Sequence, residues 1–267
     1  MGTTFLHFLR LLWLPVASLL AGGLNTIAGG GSFLSLPALL QAMKGAGVGS
    51  VSAQATNNVA LWPGQLTSVA AYREDLRAHR RRLVPLSVAS LVGGLAGAWL
   101  LLITPNQRFL YLLPWLLLFA AVMFVLSEPL GRWLAARKDS SPETLRSDFW
   151  LIVGMAVVSC YVGYFGAGGG FLVMALLGVC GVTNIHEMNA LKVVTAAVSI
   201  GIAVAWFIYK GQVQWSYCLQ MALLAAVGGY VAARYSKRVN QKWMRRMVAG
   251  IGFVTAGYFF WHAYGPR

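Results

Sequence analysis

Ten apolar stretches run almost end to end along this chain, near residues 11–28, 32–43, 52–72, 83–104, 110–127, 149–167, 171–182, 188–209, 215–233 and 246–262. Most of them approach the roughly 20 apolar residues that carry a helix across a hydrocarbon core about 30 Å thick. Backbone groups in lipid must bond to one another, which leaves helices or a closed barrel. The stretches are continuously apolar, without the alternation of a barrel strand, so helices are expected. With 58% hydrophobic and 10% charged residues and a mean hydropathy of +0.66, the chain is too apolar for a water-soluble surface. The expectation is an all-α polytopic membrane protein with 8–10 membrane segments.

The net charge of +14 sits between the apolar stretches, in "REDLRAHRRR" (73–82), in residues 132–146 and in "RYSKRVNQKWMRR" (234–246). This distribution is that of a positive-inside membrane protein and not of a nucleic-acid-binding surface. It places the three loops in the cytoplasm. An even number of crossings must then separate 132–146 from 234–246, although only three full-length stretches lie there. The short stretch 171–182 has to supply the fourth. Superposing Gly29–Gly31 on Gly168–Gly170 aligns two halves in one order: long stretch, glycine triplet, short stretch, polar-headed helix, two further helices. The reading is of two homologous repeats, 1–131 and 149–267, joined by a cytoplasmic linker at 132–148. Five segments per repeat would make the second inverted relative to the first, with both termini outside. Eight segments arranged as four plus four is the competing count. Inverted repeats with broken helices recur among secondary transporters.

"LNTIAGGGSFLSLPALL" (24–40) and "GYFGAGGGFLVMALL" (163–177) each set three glycines within apolar surroundings. Glycine costs about 1 kcal/mol per residue against alanine inside a helix and tolerates positive φ. Each triplet should therefore break its helix, and broken backbone at membrane depth belongs in the bundle interior. A helix restarting after each triplet exposes free N–H groups and the positive end of its dipole, which suit an anion. Close packing of small residues is the plainer reading of a single glycine; two triplets at equivalent places favour binding.

The polar residues that follow agree. "VSAQATNNVALWPG" carries Gln54, Thr56, Asn57 and Asn58 at the head of an apolar helix, and "NIHEMNALKVVTAA" carries His186, Glu187, Asn189, Lys192 and Thr195. Aligning these segments puts Gln54 on Asn189 and Asn57 on Lys192. Lys192 is the only basic residue of its stretch, and an intramembrane charge costs about 3 kcal/mol on insertion scales. Snorkelling, or pairing with Glu187, is the alternative. Beside amides and helix N-termini, a lysine would stabilise a small oxyanion. Asn25, one turn before the first triplet, and Ser32, just after it, complete the expected cavity.

Other residues point to less. Cys160, Cys180 and Cys218 show no CxxC spacing and read as reduced packing residues. The four histidines lack metal-ligand spacing, so neither a metal nor a cofactor is expected. Glu128 and His262 lie at span ends. His186 and Glu187 are candidates for a coupled proton. The start "MGTTFLHFLRLLWLPVASLL" has the charge pattern of a signal peptide but continues into the first glycine motif, and is read as a span. An intramembrane hydrolase would need a nucleophile with a positioned base; Ser32 has no interior histidine to serve it, so an enzyme is not expected.

At "GGLNTIAGGGSFLSLPALL", "ATNNVALWPG", "GYFGAGGGFLVMALL" and "HEMNALKVVTAAVSIGIAVAWFIYKGQVQW" the chain resembles the TauE/SafE family of membrane transporters, from about residue 15 to 260. The resemblance implies transport of a small anion (sulfite, a C2 sulfonate such as sulfoacetate, or a related carboxylate) across the bacterial inner membrane. It maps the glycine signature to Gly29, Gly30, Gly31 and Gly168, Gly169, Gly170, the TN pair to Thr56 and Asn57, and the NALK signature to Asn189 and Lys192. Pro37 matches the family proline after the first triplet; Leu176 stands at the equivalent place in the second half, so the two sites need not be equivalent. The expectation is a secondary transporter working as an exporter by alternating access, its anion bound where the two breaks meet. H+ or Na+ is the candidate coupling ion, because no GxxxxGKS loop is present. An anion channel, or an uptake carrier for small carboxylates, is the alternative. Lipid is the other expected partner; nucleic acid is not, and oligomeric state is left open.

Overall fold

The computed structural model describes residues 2–27, 30–44, 46–71, 80–136, 144–182, 185–235 and 241–265. Among them all regular structure is helical: α1 (Gly2–Ile27), α2 (Ser32–Lys44), α3 (Ser50–Leu61), α4 (Pro63–Ala71), α5 (Arg80–Ile103), α6 (Asn106–Ala136), α7 (Thr144–Tyr164), α8 (Gly169–Val179), α9 (Ile185–Tyr209), α10 (Trp215–Tyr235) and α11 (Gln241–Tyr264). Among the described residues four stretches, Arg82–Ile103, Asn106–Leu126, Glu187–Tyr209 and Trp215–Ala232, are long and apolar enough to cross a membrane. At 1.5 Å per residue α2 is about 20 Å long and α8 about 16 Å, roughly half to two-thirds of a hydrocarbon core. The sequence stretch 52–72 divides at Trp62, ahead of Pro63; Trp62 keeps helical dihedrals and donates to the Asn58 carbonyl, so α4 restarts at once.

The surface departs from that of a water-soluble protein, and the largely apolar interior also holds polar residues. Large apolar side chains stand exposed along the helices, including Leu223, Val157 and Val254, while Gln54, Thr56, Asn57, Ser35 and Thr195 are completely buried. Lipid rewards that arrangement, because no water competes for the buried polar groups and the exposed apolar ones lie in hydrocarbon. α3 is the extreme case: all its residues but Ser52 are buried.

The chain divides into two compact units. Unit 1 comprises 1–64, 102–121 and 207–267, and unit 2 comprises 65–101 and 122–206, so each draws on both halves of the sequence. In unit 1, α1 meets α10 through glycine: a Cβ on Gly22 would overlap the Ala225 carbonyl, and one on Gly228 the Leu19 carbonyl. In unit 2, α5 meets α7 in the same way, with Gly93 against Ala156, Gly97 against Cys160 and Gly163 against Gly94. Gly93 and Gly228 are separated along the chain by the same interval as Asn57 and Lys192. Without a hydrophobic drive between helices in lipid, such backbone-on-backbone approach is what holds them together.

The basic loops at 73–79, 137–143 and 236–240 lie outside the described residues. Cys218 is buried, Cys160 and Cys180 are half-buried, and all three are free thiols.

Candidate functional site

In unit 1 the chain leaves α1 at Ile27 and resumes helix at Ser32. Gly29 lies outside the described residues; Gly30 has φ +123°, a value that L side chains rarely adopt. The path folds back so closely that a Cβ on Gly31 would overlap the Ala21 carbonyl and stand 3.1 Å from the Asn25 Cβ. Gly30 is thus required by its dihedral and Gly31 by space. α2 begins with Phe33 and Leu34 donating to the carbonyls of Gly30 and Gly31. Pro37, in its second turn, has no N–H for the Phe33 carbonyl, which accepts instead from Thr255 Oγ1 at 3.5 Å.

Asn57, the eighth residue of α3, reaches this helix start. Its Oδ1 accepts from Ser35 Oγ at 2.6 Å, and its Nδ2 donates to Ser32 Oγ at 3.5 Å. Unit 1 therefore brings together Asn25, Gly30, Gly31, Ser32 and Asn57 as an uncharged polar cluster at a helix N-terminus. Ser35 was not among the residues expected from sequence; it stands one turn after Ser32, and that spacing on α2 is the signal that marks it. Thr56 turns elsewhere: its hydroxyl donates to the Ser52 carbonyl at 2.7 Å and accepts from the Gln214 N–H at 3.0 Å. Asn58 is held by Gln54, whose Nε2 donates to Asn58 Oδ1 at 3.2 Å.

In unit 2 helix α7 ends at Tyr164 and α8 starts at Gly169, with Gly166 and Gly168 in the left-handed region at φ +82° and +73°. α8 folds back along α7: Gly169 lies on Val162, and Leu176 packs into the space that Gly154 leaves open. Lys192, the eighth residue of α9, crosses the start of α8. A Cβ on Gly170 would stand 3.5 Å from Lys192 Cδ, so the lysine stem lies against that glycine. Lys192 is half-buried, and its Nζ donates to Asn189 Oδ1 at 3.2 Å. Gly168, Gly169, Gly170, Asn189 and Lys192 therefore form one cluster: a cation, an amide and the positive end of a helix.

Glu187 meets Arg82 at 3.2 Å, tying the first turns of α9 and α5. Thr195 and Ser199 spend their hydroxyls on carbonyls one turn back in α9. The exposed His262 ring stacks on Tyr258. The side chains of His186 and Glu128 lie outside the described residues. Among the described residues no three His, Cys, Asp or Glu side chains gather as metal ligands.

Chemically, the unit 1 cluster offers neutral donors and acceptors, and the unit 2 cluster offers the Lys192 ammonium at a helix start. A family model described as "Sulfite exporter TauE/SafE" matches residues 14–259. Over 257 residues the chain is 28% identical to "Probable membrane transporter protein YfcA" of Escherichia coli (strain K12), covering 94% of this chain and 89% of that protein. It is 25% identical over 253 residues to "Probable membrane transporter protein ORF9" of Sinorhizobium sp, covering 94% and 92%. No solved structure matches the chain significantly.

Proposed function

Given that this chain belongs to the sulfite exporter TauE/SafE family, a multi-pass membrane transporter of the bacterial inner membrane, we propose that it exports a small sulfur or organic oxyanion as a secondary transporter. Sulfite, sulfoacetate and related C2 sulfonates are the cargo class. The observation that carries this reading is Lys192, whose stem lies along Gly170 at the start of α8 and whose ammonium stays beside the Asn189 amide. An oxyanion there would receive a charge-assisted hydrogen bond from the ammonium beside the positive end of a helix, whose Gly169, Phe171 and Leu172 N–H groups already serve local carbonyls. Gly168, Gly169, Gly170 and Asn189 shape that site. Asn25, Gly29, Gly30, Gly31, Ser32 and Asn57 are assigned to substrate binding on the first repeat, Asn57 at the register of Lys192 but without charge, while Thr56 and Asn58, engaged with Ser52, Gln214 and Gln54, support that helix from behind.

Transport proceeds by alternating access between two repeats, coupled to H+ or Na+ or driven by the cargo gradient. The duplication is supported by the matched registers of Asn57 and Lys192 and by the glycine crossings that recur at the same interval. No step requires bond chemistry, so the chain is read as a carrier and not an enzyme.

Two measurements test this. Purified protein should melt at higher temperature with sulfite or sulfoacetate than with a cationic or neutral solute, because a ligand that prefers the folded state stabilises it by mass action. In liposomes, wild-type protein should show saturable counterflow of labelled sulfoacetate, and Lys192→Ala should abolish it while inserting normally. Wild-type flux in that variant removes Lys192 from the site; flux without counterflow makes the protein a channel.

A further inference from the structure

One part-buried polar contact at the second break is not used by the cargo reading. Tyr161, on the last full turn of α7, donates its hydroxyl to the Ala167 carbonyl at 2.8 Å. Ala167 is buried and stands between Gly166 and Gly168, the two residues at positive φ. A trans peptide directs its C=O and the following N–H to opposite sides. With the Ala167 carbonyl held toward α7, the Gly168 N–H points away from it. Gly168 is also the residue whose carbonyl receives the N–H groups of Phe171 and Leu172, and so begins the hydrogen-bond ladder of α8. The aligned position in the first half is Gly22, which packs on Ala225 and has no side chain to make such a bond.

We propose that Tyr161 is a positioning residue of the transport site: its hydroxyl pins the left-handed turn at Gly166–Gly168 and thereby fixes where the first turn of α8 stands against Lys192. The inference rests on the site reading given above. Its physical content is that two departures into the left-handed region on either side of one residue are cheap for glycine but also loosely determined, since glycine has more conformations to lose than any other residue. A single hydrogen bond from a rigid ring, itself set on a helix, selects one of them. The second site needs this selection because its charge, Lys192, reaches the helix start through a flexible four-carbon stem, whereas in unit 1 Asn57 ties the start of α2 directly through Ser32 and Ser35.

The test uses the full-length protein with Tyr161→Phe, Gly168→Ala and Lys192→Ala. Amide hydrogen exchange over residues 165–172 needs no cargo: Tyr161→Phe should speed exchange there about three- to tenfold, the equivalent of one ordinary hydrogen bond, and leave α5 and α9 unchanged. Counterflow of labelled sulfoacetate should then show KM raised by a similar factor and maximal rate within about twofold of wild type. Gly168→Ala should act in the same direction, and the double variant should be no worse than the worse single one, since both release the same turn. Unchanged exchange at 165–172 in Tyr161→Phe overturns the proposal. So does unchanged KM with a maximal rate that falls only in step with the amount of folded protein. A wild-type KM in Tyr161→Phe beside a dead Lys192→Ala sinks the clamp and keeps the site; full flux in Lys192→Ala sinks the site itself.

Discussion

The glycine crossing in unit 2 allows a prediction whose size can be worked from distances. An alanine Cβ at Gly94 would stand 2.5 Å from the Ser199 carbonyl oxygen, 2.8 Å from Ser199 Cα and 2.9 Å from Ile202 Cγ2. Carbon atoms rest comfortably at about 3.5–4.0 Å, so α5 and α9 would have to separate by roughly 1 Å. Two of the three obstacles are backbone atoms of a helix and cannot rotate away. Overpacking of this kind costs about 1–3 kcal/mol, while alanine for glycine inside a helix returns about 1 kcal/mol. Gly257, within α11, isolates the second effect, because nothing lies within 4 Å of its missing Cβ. Gly257→Ala should therefore be neutral to stabilising, and Gly94→Ala should fall about 1–3 kcal/mol below it. For a chain of this size that is a gap of about 3–10 °C in melting temperature. Ser199 lies two turns beyond Lys192 on α9, so the displaced helix carries the lysine with it, and flux in Gly94→Ala should drop more than the folded fraction does. The assay is thermal unfolding of both variants in detergent, followed by counterflow in liposomes. Equal melting of Gly94→Ala and Gly257→Ala, with full flux in both, would refute the packing argument.

Other predictions rest on single contacts. Asn57→Ala leaves the buried Ser35 hydroxyl only its longer contact to the Gly31 carbonyl and should cost about 0.5–1.5 kcal/mol in unfolding experiments, together with a loss of flux. Thr56→Val, which keeps the shape but removes the link between Ser52 and Gln214, should lower stability by about 1–2 kcal/mol, and Thr56→Ser should restore it. Arg82 is nearly half exposed, so a double-mutant cycle on Arg82→Ala and Glu187→Gln should return a coupling below about 1 kcal/mol that fades in high salt; a salt-independent coupling of several kcal/mol would contradict this.

Helix positions were readable to within a few residues, because each depends on local hydrophobicity: the stretch 215–233 became Trp215–Tyr235 and 188–209 became Ile185–Tyr209. The interruptions around both triplets were equally local, since positive φ at Gly30 and Gly168 is a property of a residue without Cβ. The hidden parts were pairings between distant residues. Ser35 rather than Ser32 makes the shorter bond to Asn57, Arg82 rather than Lys192 meets Glu187 in the ion pair described, and Thr56 faces Gln214.

Sequence by itself determined that this is an all-helical membrane transporter of one family, where its helices lie and where two of them stop. Tertiary structure alone decided that α5 packs on α7 and α10 on α1, so that each compact unit mixes both halves of the chain, and that α3 is enclosed with its polar residues on every side. The division has a physical cause. Insertion into lipid is summed residue by residue and can be read along the chain, whereas helices already in lipid choose partners by backbone fit at small residues, a property of two surfaces together.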